Sequence, residues 1–168
     1  MSRVLGPTPW ARSPALQVVP GEFDREATAE QLLGLAVRVR GIKLGRPVDL
    51  LLDLRRGRVL GFEILCGDKR HRFLPFSATI LADGELLVPS ALVLVDEEDA
   101  GFYRERTVRL SSLQGLPVEH EGRDIGLLLD VTVDAEGLVV ALAVDFDGEP
   151  VEVPCADVLQ LGGGILRC

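Results

Sequence analysis

The chain has 168 residues, close to the usual size of one domain, and its 47% hydrophobic content supports a packed core and excludes a disordered chain. A net charge of −8 argues against a general nucleic-acid binder, because phosphate affinity rests on Lys and Arg. Early prolines in MSRVLGPTPWARSP and the charges Asp130, Asp134 and Glu136 within the apolar stretches argue against a secretory leader and a membrane span.

Residues 1–24 carry Pro7, Pro9, Pro14 and Pro20 and predict an extended tail. Trp10, the sole tryptophan, stands in that tail as a candidate anchor for a partner groove, or as a ring that folds back on the core. DREATAEQLLG, from Asp24 on, holds an N-cap candidate and good helix formers, so one short helix is expected. Leu35, Val37 and Val39 then alternate with Ala36, Arg38 and Arg40, which predicts a strand with a basic outer face.

From here the chain writes similar phrases twice. Gly45-Arg46-Pro47-Val48 matches Gly115-Leu116-Pro117-Val118, and LLLD at 50–53 matches LLLD at 127–130. The strands after Gly57 and Gly137 also correspond, as do Pro75 and Pro154. On this matching the first copy has lost the turn that the second spells EHEGRDI. Leu60, Phe62, Ile64 and Cys66 form a bulky strand face opposite Val59, Gly61, Glu63 and Leu65. Val140, Leu142, Val144 and Phe146 stand likewise opposite Val139, Ala141, Ala143 and Asp145, a period of two that buries one face.

Arg55-Arg56-Gly57, Gly67-Asp68, Asp134-Ala135-Glu136-Gly137 and Asp147-Gly148 are hairpin signals, so each copy reads as an antiparallel meander. Too little sequence joins the strands for parallel crossovers. Closure into small barrels would remove the sheet edges. The segment 96–105, DEEDAGFYRE, separates the two copies, its acidic run Asp96–Asp99 reads as a solvated linker, and the two copies are expected to bury a face against each other.

The second copy resembles the PRC-barrel family. It carries Gly115-Leu116-Pro117-Val118, Gly122-Arg123-Asp124-Ile125-Gly126, Asp130-Val131, the apolar run from Val139 to Val144 and Pro154-Cys155-Ala156-Asp157-Val158. The first copy joins it through the internal repeat and lacks the Gly-x-x-Ile-Gly turn on that matching. The resemblance implies docking to a protein partner and carries no shared catalytic residues. Through the ribosome maturation factor of the same family it also implies an alternative, an accessory role in RNA processing or ribosome assembly.

Charge separates the copies. Residues 106–168 hold four Lys or Arg against eleven Asp or Glu, while 31–105 hold eleven of each. Nucleic acid is therefore disfavoured as a partner of the second copy. Lys69, Arg70, His71 and Arg72 read either as a solvated edge strand or as a partner-binding site for an anionic protein segment. Arg55, Arg56 and Arg58 belong to the opposite end of the meander, roughly 20 Å away at ~3.3 Å per residue.

Other candidates for chemistry read as structure. Cys66 and His71 would make half a metal site with Cys155 and Cys168 as remote partners, but the spacing does not suit zinc. Three cysteines without Cys-x-x-Cys spacing fit a reducing compartment. Gly162-Gly163-Gly164 reads as a turn, His120 as a solvated histidine at a hairpin tip, and Asp53 and Asp130 as turn or cap acceptors.

The expected molecule is all-β: two small antiparallel PRC-type β-barrels in tandem, at 31–105 and 106–168, after a tail with one short helix at 1–30. The expected role is a cytoplasmic, non-enzymatic protein-interaction or adaptor module with no cofactor, no metal and no membrane span. Association of two copies through an exposed strand stays open.

Overall fold

The computed structural model describes residues 26–82 and 84–168; the proline-bearing tail and Trp10 lie outside them. The described chain begins with strand β1 (Glu26–Thr28) and helix α1 (Ala29–Leu33). It continues through β2 (Ala36–Val39), β3 (Ile42–Asp53), β4 (Arg58–Cys66), β5 (His71–Pro75), β6 (Ile80–Ala82), β7 (Glu85–Leu87) and β8 (Val95–Asp96). Helix α2 (Gly101–Arg106), β9 (Val108–Arg109) and helix α3 (Leu110–Leu113) then lead into β10 (Pro117–His120). The chain finishes with β11 (Arg123–Asp134), β12 (Val139–Phe146), β13 (Glu149–Pro154), β14 (Val158–Leu161) and β15 (Gly164–Arg167). The described residues are thus mostly β, and among them stand two short α-helices, α2 and α3, and three 3-10 turns beyond the single helix expected.

Two sheets form, in the orders β6-β7-β2-β3-β4-β5-β8 and β13-β12-β11-β10-β14-β15. Among the described residues no pairing joins the ends of either order, so the sheets are not the closed barrels expected. Their edges are blunted differently. One ends on the two-residue β8, and β13 carries Pro150 and Pro154, which have no N–H to offer a further strand. Among the described residues pairing is antiparallel except for β2 with β7, which run parallel.

The stretches β2–β5 and β10–β13 have the same order, but not by the matching expected from sequence. The β2–β3 turn is Arg40-Gly41 and the β10–β11 turn is Glu121-Gly122, all four at positive φ. Gly41-x-x-Leu44-Gly45 therefore holds the place in its sheet that Gly122-x-x-Ile125-Gly126 holds in the other, so the turn is present in both. The apparent match between Gly45-Arg46-Pro47-Val48 and Gly115-Leu116-Pro117-Val118 sets β3 against the lead into β10, two different strands.

The strand faces are corrected in one detail. Register shifts at Leu51/Leu52 and Thr132/Val133 place bulges in β4 and β12, with Leu60 and Val140 as the extra residues. A bulge reverses the alternation for one residue, so Val59 and Val139 enter the core, while Leu60 packs in a separate small cluster. Phe146, at the strand end, is 49% exposed. The main core is continuous across both sheets: Leu50, Phe62, Ile64 and Leu74 belong to the same cluster as Val131, Leu142, Val144 and Leu161.

The lead-in segments are exchanged. β1 lies against β11, with Ala27 opposite Val133, although it precedes β2 in the chain. β9 lies against β3, with Val108 opposite Leu52, although it leads to β10. The hairpin tips add a second tie: Val59 N–H donates to Gly137 O and Val139 N–H to Gly57 O, both at 2.8 Å. Gly57 has φ +61, and a Cβ there would lie 1.9 Å from Arg167 O, so the close approach of the C-terminal strand requires glycine.

Gly57→Ala is expected to cost about 2 kcal/mol or more, from the φ penalty plus the backbone clash. Gly67→Ala, where a Cβ meets nothing within 4 Å, is expected to cost less than about 1 kcal/mol. Urea melts of the two variants would check the ranking, and equal costs would contradict the packed junction.

Candidate functional site

The turn after β4 is not built on Gly67-Asp68 alone. Lys69 takes φ +65, and Asp68 holds the loop by accepting the Arg70 N–H at 3.0 Å. Asp68 also grips Arg72 with both oxygens, Nη1 at 3.1 Å and Nη2 at 2.7 Å. These contacts, Arg72 first, hold the Asp68 carboxyl down to about 2. The Arg72 pKa is raised in turn by Asp68, then Cys66, then Asp96.

Of the residues expected to bind a partner, His71 and Arg72 line a cleft of about 480 Å³. Lys69 and Arg70 are exposed on the preceding turn and do not line it, and Trp10 lies outside the described residues. β5 is not an edge strand as expected, because β8 pairs beyond it, with Arg72 opposite Asp96 and Phe73 opposite Val95. The acidic run Asp96–Asp99 is largely exposed, as expected of a solvated linker, but it is also tied to the hairpin. Asp96 accepts from Arg72 Nε at 2.7 Å, Glu98 lies 3.5 Å from Arg70, and Glu97 O accepts a short hydrogen bond from Arg104. Two of its acids, Asp96 and Glu98, tie the segment to arginines of the β4–β5 hairpin, and the Glu97–Arg104 contact lies within the segment itself.

Beneath the ions lies an apolar floor. The Phe73 ring stacks on Tyr103 with centroids 3.9 Å apart, and Ala100 is buried with Phe73 and Leu51 in a cluster separate from the main core. Glu63, across β4 from Phe73, bridges His71 Nδ1 at 2.5 Å and Arg109 Nη2 at 2.7 Å. Its side chain is 12% exposed while those of His71 and Arg109 are about half exposed, so both oxygens are taken and the two partner side chains face outward.

Sequence reasoning missed Glu63, Asp96, Tyr103 and Arg109. Period two does put Glu63 and His71 on one face of neighbouring strands. Nothing local foretold that the linker would return to cover them.

The remaining candidates resolve into structure. Asp53 accepts the N–H groups of Arg55 and Arg56 at its hairpin, and Asp134 those of Glu136 and Leu138 at the other. Asp130 has a different counterpart, Asp49. Buried Asp49 accepts from Leu50 N and Ser111 N, at the start of α3, and from the Ser111 hydroxyl. Buried Asp130 accepts from Val131 N at 2.8 Å and Glu30 N at 3.2 Å, at the start of α1. The LLLD match had set a turn aspartate against a helix-capping one. Burial pushes the Asp130 carboxyl up to about 6, against the pull of its backbone donors.

The cysteines depart from expectation: Cys155 and Cys168 are joined in a disulfide, and Cys66 is free and buried. The bond removes both from a metal site with His71. Among the described residues no group of three His, Cys, Asp or Glu could hold a metal ion, and no helix is long and apolar enough to cross a membrane. His120 is not the solvated histidine expected: its Nε2 is enclosed and has no hydrogen-bond partner among the described residues. Gly162 forms the β14–β15 turn at φ +57, as expected.

Residues 105–168 match the PRC-barrel domain family. No curated protein matches the chain. The PRC-barrel match covers α3 and β10–β15, and it includes β9, which pairs outside that span with β3. The cleft belongs mainly to the residues before it, with Thr107 and Arg109 contributed from within.

Asp130 keeps its proton to about pH 6 in the folded chain and loses it near 3.8 when unfolded, so it makes stability fall as pH rises through that window. Asp130→Asn, which retains an acceptor for Glu30 N–H, is expected to lack that slope and to gain on the wild type by on the order of 1–3 kcal/mol between pH 4 and 6. Denaturant melts across this range would check it; parallel curves would contradict it.

Proposed function

We propose that the chain is a non-enzymatic protein-interaction module, an adaptor built from two PRC-barrel-like units of which residues 31–105 form the diverged one. The shared order of β2–β5 and β10–β13, the paired positive-φ turns and the matching Asp49 and Asp130 support the diverged unit at 31–105. One observation carries the docking role. The basic run from Arg70 to Arg72 already engages an acidic, aromatic peptide segment, through ion pairs and ring stacking, within its own chain. Surface of this kind is suited to recognising protein. The charged groups around the cleft are held by one another, which favours fixed geometry over proton transfer.

Crosslinking capture from native lysate, with and without nuclease, tests this reading. A protein retained after nuclease treatment, and lost when Lys69, Arg70 and Arg72 are changed together to Glu, is the expected outcome. Retention that disappears with nuclease, together with salt-sensitive retention of RNA, would instead support the alternative of an RNA-assembly factor.

A further inference from the structure

The strap Val95–Arg106 is held lightly. Its strand β8 has two residues, α2 has no side-chain cap, and Ala100 is the one residue of the strap that is buried. The Arg70–Glu98 pair is exposed on both sides, and such pairs are worth about 0–1 kcal/mol. Segments with so few buried contacts open at low cost.

The guanidinium under the strap is also held from its own side. Asp68, on the hairpin itself, fixes the Arg72 guanidinium from its Nη edge, and this leaves Nε pointing to the strap's Asp96. A guanidinium positioned in this way meets a carboxylate with little further ordering. Beside it, Phe73 is 3% exposed under its covering of Ala100 and Tyr103. The strand β5 would regain a free edge once β8 left, a template for an added strand.

We propose that the strap is a displaceable internal ligand, and that the surface of Arg70, Arg72, Phe73 and Leu51 docks an acidic, aromatic peptide segment of a protein partner. The partner segment would carry two carboxylates in place of Asp96 and Glu98 and an aromatic ring in place of Tyr103, and would pair with β5 as an added strand. In the resting chain the strap fills this site and sets a threshold for entry. The proposal rests on the docking reading above and names the partner's chemistry.

The test uses the full chain and a labelled peptide of its own residues 94–107. A variant with Asp96→Lys, Glu98→Lys and Tyr103→Ala, which loosens the strap, is expected to bind the peptide at least about tenfold more tightly than the wild type. Adding Arg72→Glu should abolish binding, and a scrambled peptide should bind at least about tenfold more weakly. Equal binding by wild type and opened variant, or equal binding of scrambled peptide, overturns the proposal.

Hydrogen exchange on the wild-type chain needs no variant to fold. Excess peptide should raise deuterium uptake at 95–106 while 71–75 stay protected; unchanged uptake at 95–106 overturns the proposal. A nuclease-resistant partner still captured when the peptide fails to bind would leave the docking reading standing and move the site elsewhere.

Discussion

Exchange of the lead-in segments is the constraint on which the rest of the structure depends. β1 and α1 complete the sheet that contains β11, and β9 and α3 complete the sheet that contains β3. Each exchanged helix begins on a buried aspartate of the sheet it joins, Asp130 for α1 and Asp49 for α3. A helix start leaves N–H groups without partners, and a carboxylate placed there satisfies them at the cost of its own desolvation. The raised Asp130 carboxyl is the visible sign of that cost. With its ends tied in this way, the chain closes one continuous core and brings the tips at Gly57 and Gly137 into backbone contact.

The same exchange makes the cleft. To reach β3, the chain leaving β8 must run back across the outer face of β3, β4 and β5, and the acidic strap is that return path. Its acids meet Arg70 and Arg72, its tyrosine meets Phe73, and Arg109, at the exchanged strand, closes the far side through Glu63. The match to the PRC-barrel domain over residues 105–168 describes the second sheet. The surface proposed for docking comes from how the preceding residues are laced to it.

What the sequence made legible was local. Period-two patterning located β4 and β12, glycine and aspartate pairs located their hairpins, and Thr28 with Gln31 formed a capping box within the segment read as helical. What it hid was set by register and by distance along the chain. Two bulges moved Val59 and Val139 into the core in place of Leu60 and Val140, which no alternation count foretells. The LLLD identity misled because leucine runs recur in any buried strand; by hydrogen-bonding role Asp49 goes with Asp130, at a helix start, and Asp53 with Asp134, at a hairpin. Pairing of Glu63 with Arg109, and of Arg72 with Asp96, needed the linker's path, and that path follows from the exchange.

The central claim is tested most directly by expressing residues 26–105 and 106–168 as separate chains and following their unfolding by circular dichroism, alone and mixed. If each sheet is completed by the other's lead-in strand, neither chain alone melts cooperatively, and mixing restores one shared transition. Two chains that each melt cooperatively and do not associate would contradict the account.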